Sequence, residues 1–266
     1  VSSDTKEFYD GVGWRDAGGG VYEDTRRWED LRPCASAYVR ACTRRVLDHV
    51  PERGGSLLDV GSGPVVHDEY LELSLRFETH FCVDLSERAL AAARAKIGDR
   101  GVYFCCDFNQ VSLPADYFDC VVCLHVLYHV RADLQEDFVR RMLRVARPGA
   151  PVVVAYANPR DLTHLFPLLR RALDAVRPRY SSYPYYHAHP VDWWQRFAGE
   201  AEVELHPMRA LNAEDGMALV PNTAESERVF EGIRQLEVTH PETFARWGHY
   251  YLVVLRRISP CATRRG

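Results

Sequence analysis

The residues of this chain best placed to do chemistry are three aspartates and a pair of glycines. Asp59-Val60-Gly61-Ser62-Gly63 follows a short apolar run. Gly61 and Gly63 let the backbone turn sharply and approach a ligand closely. A carboxylate at Asp59 suits a ligand with an ammonium group or an ordered water network, and it repels a pyrophosphate. Asp84 lies 23 residues after Gly61, about the distance at which an acid binds a ribose diol in dinucleotide folds. Asp107 closes a third apolar run and is able to accept a hydrogen bond from an adenine amino group. A ligand carrying an amino acid, a ribose and an adenine satisfies the three in order, and S-adenosylmethionine is such a ligand.

A second group of candidates is aromatic or imidazole. His125 and His129 follow the fourth apolar run, and His187 and His189 sit two apart in the Tyr-rich stretch Tyr180–Pro190. His187 and His189 share a face if that stretch is extended, which fits the lining of a substrate pocket, a metal half-site, or packing against Trp193 and Trp194. Tyr9, Trp14 and Tyr22 lie in an N-terminal segment rich in glycine. The candidate general bases are His125, Tyr9, His129 and His189. The candidate acceptor contacts are Trp14, Tyr22, Tyr186 and His187, walls of an aromatic pocket.

These residues need elements to hold them. Val39, Cys42, Val46, Leu47 and Val50 share one helical face over 35–50, bracketed by Pro33 and Pro51. Strands are expected at 56–60, 81–84, 102–106, 118–124 and 152–156. Ser86 is a good helix N-cap and Gly98 a good stop. Leu134, Phe138, Met142 and Val145 line a further helix. Leu162 to Val176 reads as a helix disturbed by Pro167, and Val229, Ile233 and Leu236 mark another. Strands at 201–206 and 250–255 come last. Strands that alternate with helices and lack polar alternation build a mostly parallel sheet covered on both faces. Successive strand ends bring Asp59, Asp84 and Asp107 to the carboxyl edge, where such sheets bind ligands.

The ordered set resembles the class I, Rossmann-like methyltransferases dependent on S-adenosylmethionine. Leu57-Leu58-Asp59-Val60-Gly61-Ser62-Gly63 resembles their first motif and Val83-Asp84-Leu85-Ser86 their acidic second strand. Cys106-Asp107-Phe108 is similar to their adenine-contacting turn, Phe118–His125 to their fourth strand, and Arg147–Pro151 to the turn before the fifth. The resemblance implies an α/β, doubly wound, mostly parallel seven-stranded sheet with an N-terminal helical lid and insertions near the last strands. It implies a cofactor site of Asp59, Gly61, Ser62, Gly63, Asp84, Leu85, Asp107, Phe108, Leu124 and His125, with Tyr9 and Trp14 in the lid. One domain over 1–266 is expected: lid 1–50, cofactor core 51–160, and acceptor-side elements with the last two strands 161–258. In place of the usual small pair, the turn continues Pro64-Val65-Val66-His67.

The composition is that of an ordinary globular protein, 47% hydrophobic and 26% charged over 266 residues. A net charge of −4 argues against a nucleic-acid partner. No apolar run reaches the length of a membrane span and the first residues show no signal pattern, so a cytoplasmic protein without a membrane partner is expected. Cys120-x-x-Cys123 resembles a metal half-site, but thiols three apart on a strand face opposite ways, and no metal is expected. The leading reading is methyl transfer to oxygen or nitrogen of a small molecule, of the natural-product or sugar-containing kind. The rivals are a nicotinamide-dependent oxidoreductase and a non-catalytic cofactor-binding protein. The sequence leaves acceptor identity open, and leaves room for a homo-oligomer.

Overall fold

The structure, a computed structural model, describes residues 3–258. The two ends of the expected 1–266 domain, 1–2 and 259–266, lie outside the described residues. The N-terminal segment is helical. It contains α1 (Ser3–Phe8), a π-helical turn (Tyr9–Gly13) and α2 (Glu23–Trp28). Helix α3 (Pro33–Arg44) continues as a 3-10 turn to His49 and buries the expected face, Val39, Cys42, Val46 and Leu47.

The central sheet alternates with helices. Its elements are β1 (Gly54–Val60), α4 (Asp68–Leu75), β2 (Phe77–Asp84), α5 (Glu87–Ile97), β3 (Gly101–Cys105), β4 (Cys120–Leu124), α6 (Gln135–Val145) and β5 (Pro151–Ala157). After β5 come α7 (Pro167–Val176), β6 (Ala201–Arg209), α8 (Ala213–Leu219), α9 (Ser226–Thr239), α10 (Pro241–Trp247) and β7 (Tyr250–Arg257). The strand order is β3-β2-β1-β4-β5-β7-β6. The first five strands pair in parallel, and β7 runs antiparallel between β5 and β6. This is the seven-stranded, mostly parallel sheet expected. The order reverses direction between β1 and β4, the switch point at which open sheets form a ligand crevice.

Both faces of the sheet are packed. Val121 and Cys123 join the core under α6 and the Val191–Phe197 turn. Cys120 and Val122 join the opposite core with Val46, Leu47 and Leu73. The two thiols therefore face opposite ways, and both are pushed up by burial. Ser86 caps α5 by accepting the Ala89 N–H, and Gly98 ends it at φ 68°. Pro167 splits the expected 162–176 helix into a 3-10 turn, Leu162–Leu165, and α7, with the break at Phe166.

Helix α9 departs from expectation in its facing. Val229 and Leu236 are about half exposed, while Phe230 and Glu237 are buried. The cause is a buried polar cluster. The Glu237 carboxylate accepts from the Tyr38 hydroxyl at 2.6 Å, from the Ala210 N–H at 2.7 Å, and pairs with Arg45 at 2.9 Å. A buried charge must be paired and hydrogen-bonded, so the helix turns Glu237 inward.

Candidate active site

The turn after β1 is held by the end of β2. Gly61 and Gly63 adopt φ of 72° and 55°, a left-handed region that favours glycine. The Gly61 N–H donates to the Val83 carbonyl at 2.7 Å. The Gly63 N–H donates to Asp84 Oδ2 at 2.9 Å and the Ser86 N–H to Asp84 Oδ1 at 2.8 Å. Burial raises the Asp84 carboxyl to about 6, and the two backbone N–H groups oppose that rise. Space also demands glycine. A Cβ on Gly61 would stand 2.5 Å from a Val126 methyl, and one on Gly63 would stand 3.2 Å from the Trp14 ring. Val65, a β-branched residue, takes φ 51°, and its carbonyl accepts from Lys96 Nζ at 2.5 Å.

A cavity of about 850 Å³ opens above this turn. Such a volume is near the upper end of the roughly 300–1,000 Å³ typical of ligand sites. Gly61, Ser62, Gly63, Asp84, Leu85, Phe108, Leu124 and His125, all expected at a cofactor site, line it. Asp59 and Asp107 do not. Leu58 and Val60 point into the core beneath α6, so the period of two turns Asp59 to the other face. There its buried Oδ2 lies 3.4 Å from His80 Nε2. Asp107 accepts the Asn109 N–H at 2.8 Å in the loop after β3, and Phe108 takes the wall. Only Asp84 of the three acids lines the cavity.

The N-terminal segment forms a second wall. Tyr9 and Trp14 stack with ring centroids 5.0 Å apart, and Tyr22 meets Trp14 edge-on from behind, outside the cavity lining. Tyr9 Oη lies 3.3 Å from His129 Nε2, and His129 Nδ1 lies 2.6 Å from the Tyr185 carbonyl. A carbonyl only accepts, so Nδ1 carries the ring proton and Nε2 accepts from Tyr9. Burial lowers His129 to about 4. It lowers His125 to about 3, with Arg209 and neighbouring imidazoles adding to the effect. His125 takes φ 62°.

The Tyr-rich stretch contributes less than expected. Tyr186 lines the cavity. His187 is exposed, and its backbone N–H donates to the Tyr128 carbonyl. His189 stacks flat on Trp193 at 4.5 Å. Neither lines the cavity, so the expected acceptor contact His187 and the expected base His189 stand outside it. Among the described residues no group of His, Cys, Asp and Glu is arranged to hold a metal ion.

Other parts of the cavity wall are built from residues that sequence reasoning missed. Glu29 and His67 pair at 2.8 Å. Burial opposes ionisation of both, yet their mutual hydrogen bond leaves Glu29 lowered and His67 raised. The departure Pro64-Val65-Val66-His67 is what brings this imidazole to the wall. His249 also lines the cavity, and its Nδ1 lies 2.6 Å from the buried Asp161. Asp24 lines it with a buried Oδ1 that has no hydrogen-bond partner, and Arg209 and Tyr250 complete this side.

Residues 58–154 match the family described as a methyltransferase domain. Aligned over 127 positions, 44% of this chain is 32% identical to phosphatidylethanolamine N-methyltransferase of Cereibacter sphaeroides and covers 58% of it. The match spans less than two thirds of the length of the curated relatives. Among solved structures, N-methyltransferase NodS of Bradyrhizobium japonicum WM9, in complex with S-adenosyl-L-homocysteine, superposes with a TM-score of 0.57 at 15% identity, over 96% of this chain and 99% of that one. Magnesium protoporphyrin IX methyltransferase of Synechocystis PCC 6803, with the same ligand bound, gives 0.58 at 14% identity, over 96% and 98%. At these identities the likeness carries the fold, which is that of the class I methyltransferases.

Proposed function

We propose that this chain, a class I methyltransferase fold with a methyltransferase domain at residues 58–154, is an S-adenosylmethionine-dependent methyltransferase acting on oxygen or nitrogen of a small molecule. The acceptor is of the natural-product or sugar-containing kind, and the reaction is cytoplasmic. Among the described residues no helix is long and apolar enough to cross a membrane. The observation that carries the reading is the Gly61–Gly63 turn bound to Asp84 at the floor of an 850 Å³ cavity. Each Asp84 oxygen accepts one backbone N–H and keeps a lone pair for a ribose hydroxyl. In this reading residues 1–50 close the cofactor side, 51–160 hold the cofactor and 161–258 face the acceptor.

S-adenosylmethionine, when bound, supplies a methyl group already activated on a sulfonium. The protein's own work is alignment and proton management. Tyr9 and Trp14 shut the lid over the turn and exclude water. A hydroxyl acceptor also requires a base. His189 lies outside the cavity, and His125 and His129 are held weakly basic at about 3 and 4. Asp161 fixes the Nδ1–H of His249 and leaves Nε2 as the acceptor of a proton. His249 is therefore assigned as the base for oxygen acceptors.

Incubation with methyl-labelled S-adenosylmethionine and a library of small hydroxyl and amine compounds tests this reading. Label is expected in acceptors of one chemical class. Cofactor binding with no transfer to any member would favour the non-catalytic rival, and tight binding of NAD would favour the oxidoreductase.

A further inference from the structure

The cavity wall contains a cation, Arg209, half-buried and without an anionic partner among the described residues. Several other inward-facing arginines of this chain are paired with carboxylates. Arg32 pairs with Asp30 at 2.7 Å, Arg45 with Glu237 at 2.9 Å, and Arg170 and Arg177 each with Asp215 at 3.0 Å. Arg209 lines the cavity, yet among the described residues no carboxylate lies within ion-pair range of it. Its Nε is buried and unpartnered. Tyr250 supplies a ring face 4.8 Å from Cζ, which holds the group without neutralising it. Glu29, the carboxylate that acts on it through space, is engaged by His67 at 2.8 Å.

A guanidinium has five donors and no acceptor, and an unpaired charge kept from water is costly. We infer that Arg209 anchors an oxyanion, a carboxylate or a phosphate, carried by the methyl acceptor. The planar fork matches both groups with two parallel hydrogen bonds. The inference rests on the methyltransferase reading, which assigns residues 161–258 to the acceptor side. Sheet order separates Arg209 from the cofactor turn. Gly61 follows β1 and Arg209 ends β6, with β4, β5 and β7 between the two strands. The site therefore selects acidic acceptors over neutral or cationic ones.

The test titrates the intact chain, saturated with S-adenosylhomocysteine, with benzoate, phenyl phosphate, benzyl alcohol and benzylamine. The ring suits walls built of Trp28, Tyr183, Tyr186 and Tyr250. Benzoate or phenyl phosphate is expected to bind at least about tenfold tighter than the other two, and the tighter of the pair identifies the oxyanion. Arg209→Gln should erase this preference and Arg209→Lys should keep part of it. Unfolding temperature reports on folding, and loss of an unpaired charge should not lower it. Equal binding of all four probes, or a preference that survives Arg209→Gln, overturns the inference. So does a loss of about tenfold or more in S-adenosylhomocysteine affinity on Arg209→Gln, which would hand the arginine to the cofactor. If the wild-type chain fails to bind S-adenosylhomocysteine, the methyltransferase reading falls, and the same probes on the unloaded chain still decide whether Arg209 holds an oxyanion.

Discussion

Gly63 donates its backbone N–H to the Asp84 carboxylate at 2.9 Å, so the acid that closes the second strand also fixes the turn that closes the first. The cofactor floor is thus one unit with two strands behind it. Trp14 covers it from the other side, its ring 3.2 Å from where a Gly63 Cβ would stand. Shape, charge and lid meet at this one turn.

The unit predicts a strict demand at Gly61. Alanine there takes a left-handed φ and overlaps a Val126 methyl at 2.5 Å. The strain should cost about 1–3 kcal/mol, and thermal unfolding should show it. Adding Val126→Ala should recover part of the loss, since the two residues are in contact. An alanine variant that unfolds within about 1 °C of wild type contradicts the geometry.

Asp84 and Asp59 should separate by function. Asp84→Asn loses a charged acceptor at the turn and should weaken S-adenosylhomocysteine by about 10- to 100-fold. Asp59→Asn should leave affinity within about threefold and lower stability instead, because the buried His80 loses its partner. Calorimetric titration with a melting curve on each variant distinguishes them. Equal losses of affinity would place Asp59 at the ligand after all.

Asp24 should make stability depend on pH. Burial first, then repulsion from Glu29, raises its carboxyl to about 7, against the pull of Arg27 and His67. Between about pH 4 and 7 the folded chain holds a proton that the unfolded chain has released, so this group's contribution to stability falls as pH rises through that window. Asp24→Asn should remove the fall. Its unfolding temperature relative to wild type should climb between pH 5 and pH 8 by about 2–4 °C, for an effect on the order of 1 kcal/mol. A difference that stays constant across pH contradicts the assignment.

Much of the frame was legible in the sequence because each signal was local. Apolar runs, Ser86 and Gly98 at the ends of α5, and the glycine turn all depend on near neighbours. The period of two also placed Cys120 and Cys123 on opposite faces. That argument had equal force for Asp59, whose neighbours Leu58 and Val60 point into one core. Both faces of β1 are buried, so no polar alternation marked which one the acid takes. Glu29 with His67 and Asp161 with His249 join segments remote in sequence, and no local pattern announces such pairs. Helix α9 escaped for a related reason: its facing is decided by Glu237 and its partners Tyr38, Arg45 and Ala210, which hydrophobic periodicity does not weigh.

Calorimetric titration of the intact chain with S-adenosylhomocysteine, and in parallel with NAD, tests the central claim most directly. The account predicts one S-adenosylhomocysteine bound per chain with micromolar or tighter affinity, about −8 kcal/mol or better, and no heat from NAD. Absence of S-adenosylhomocysteine binding, or equal binding of NAD, would contradict it.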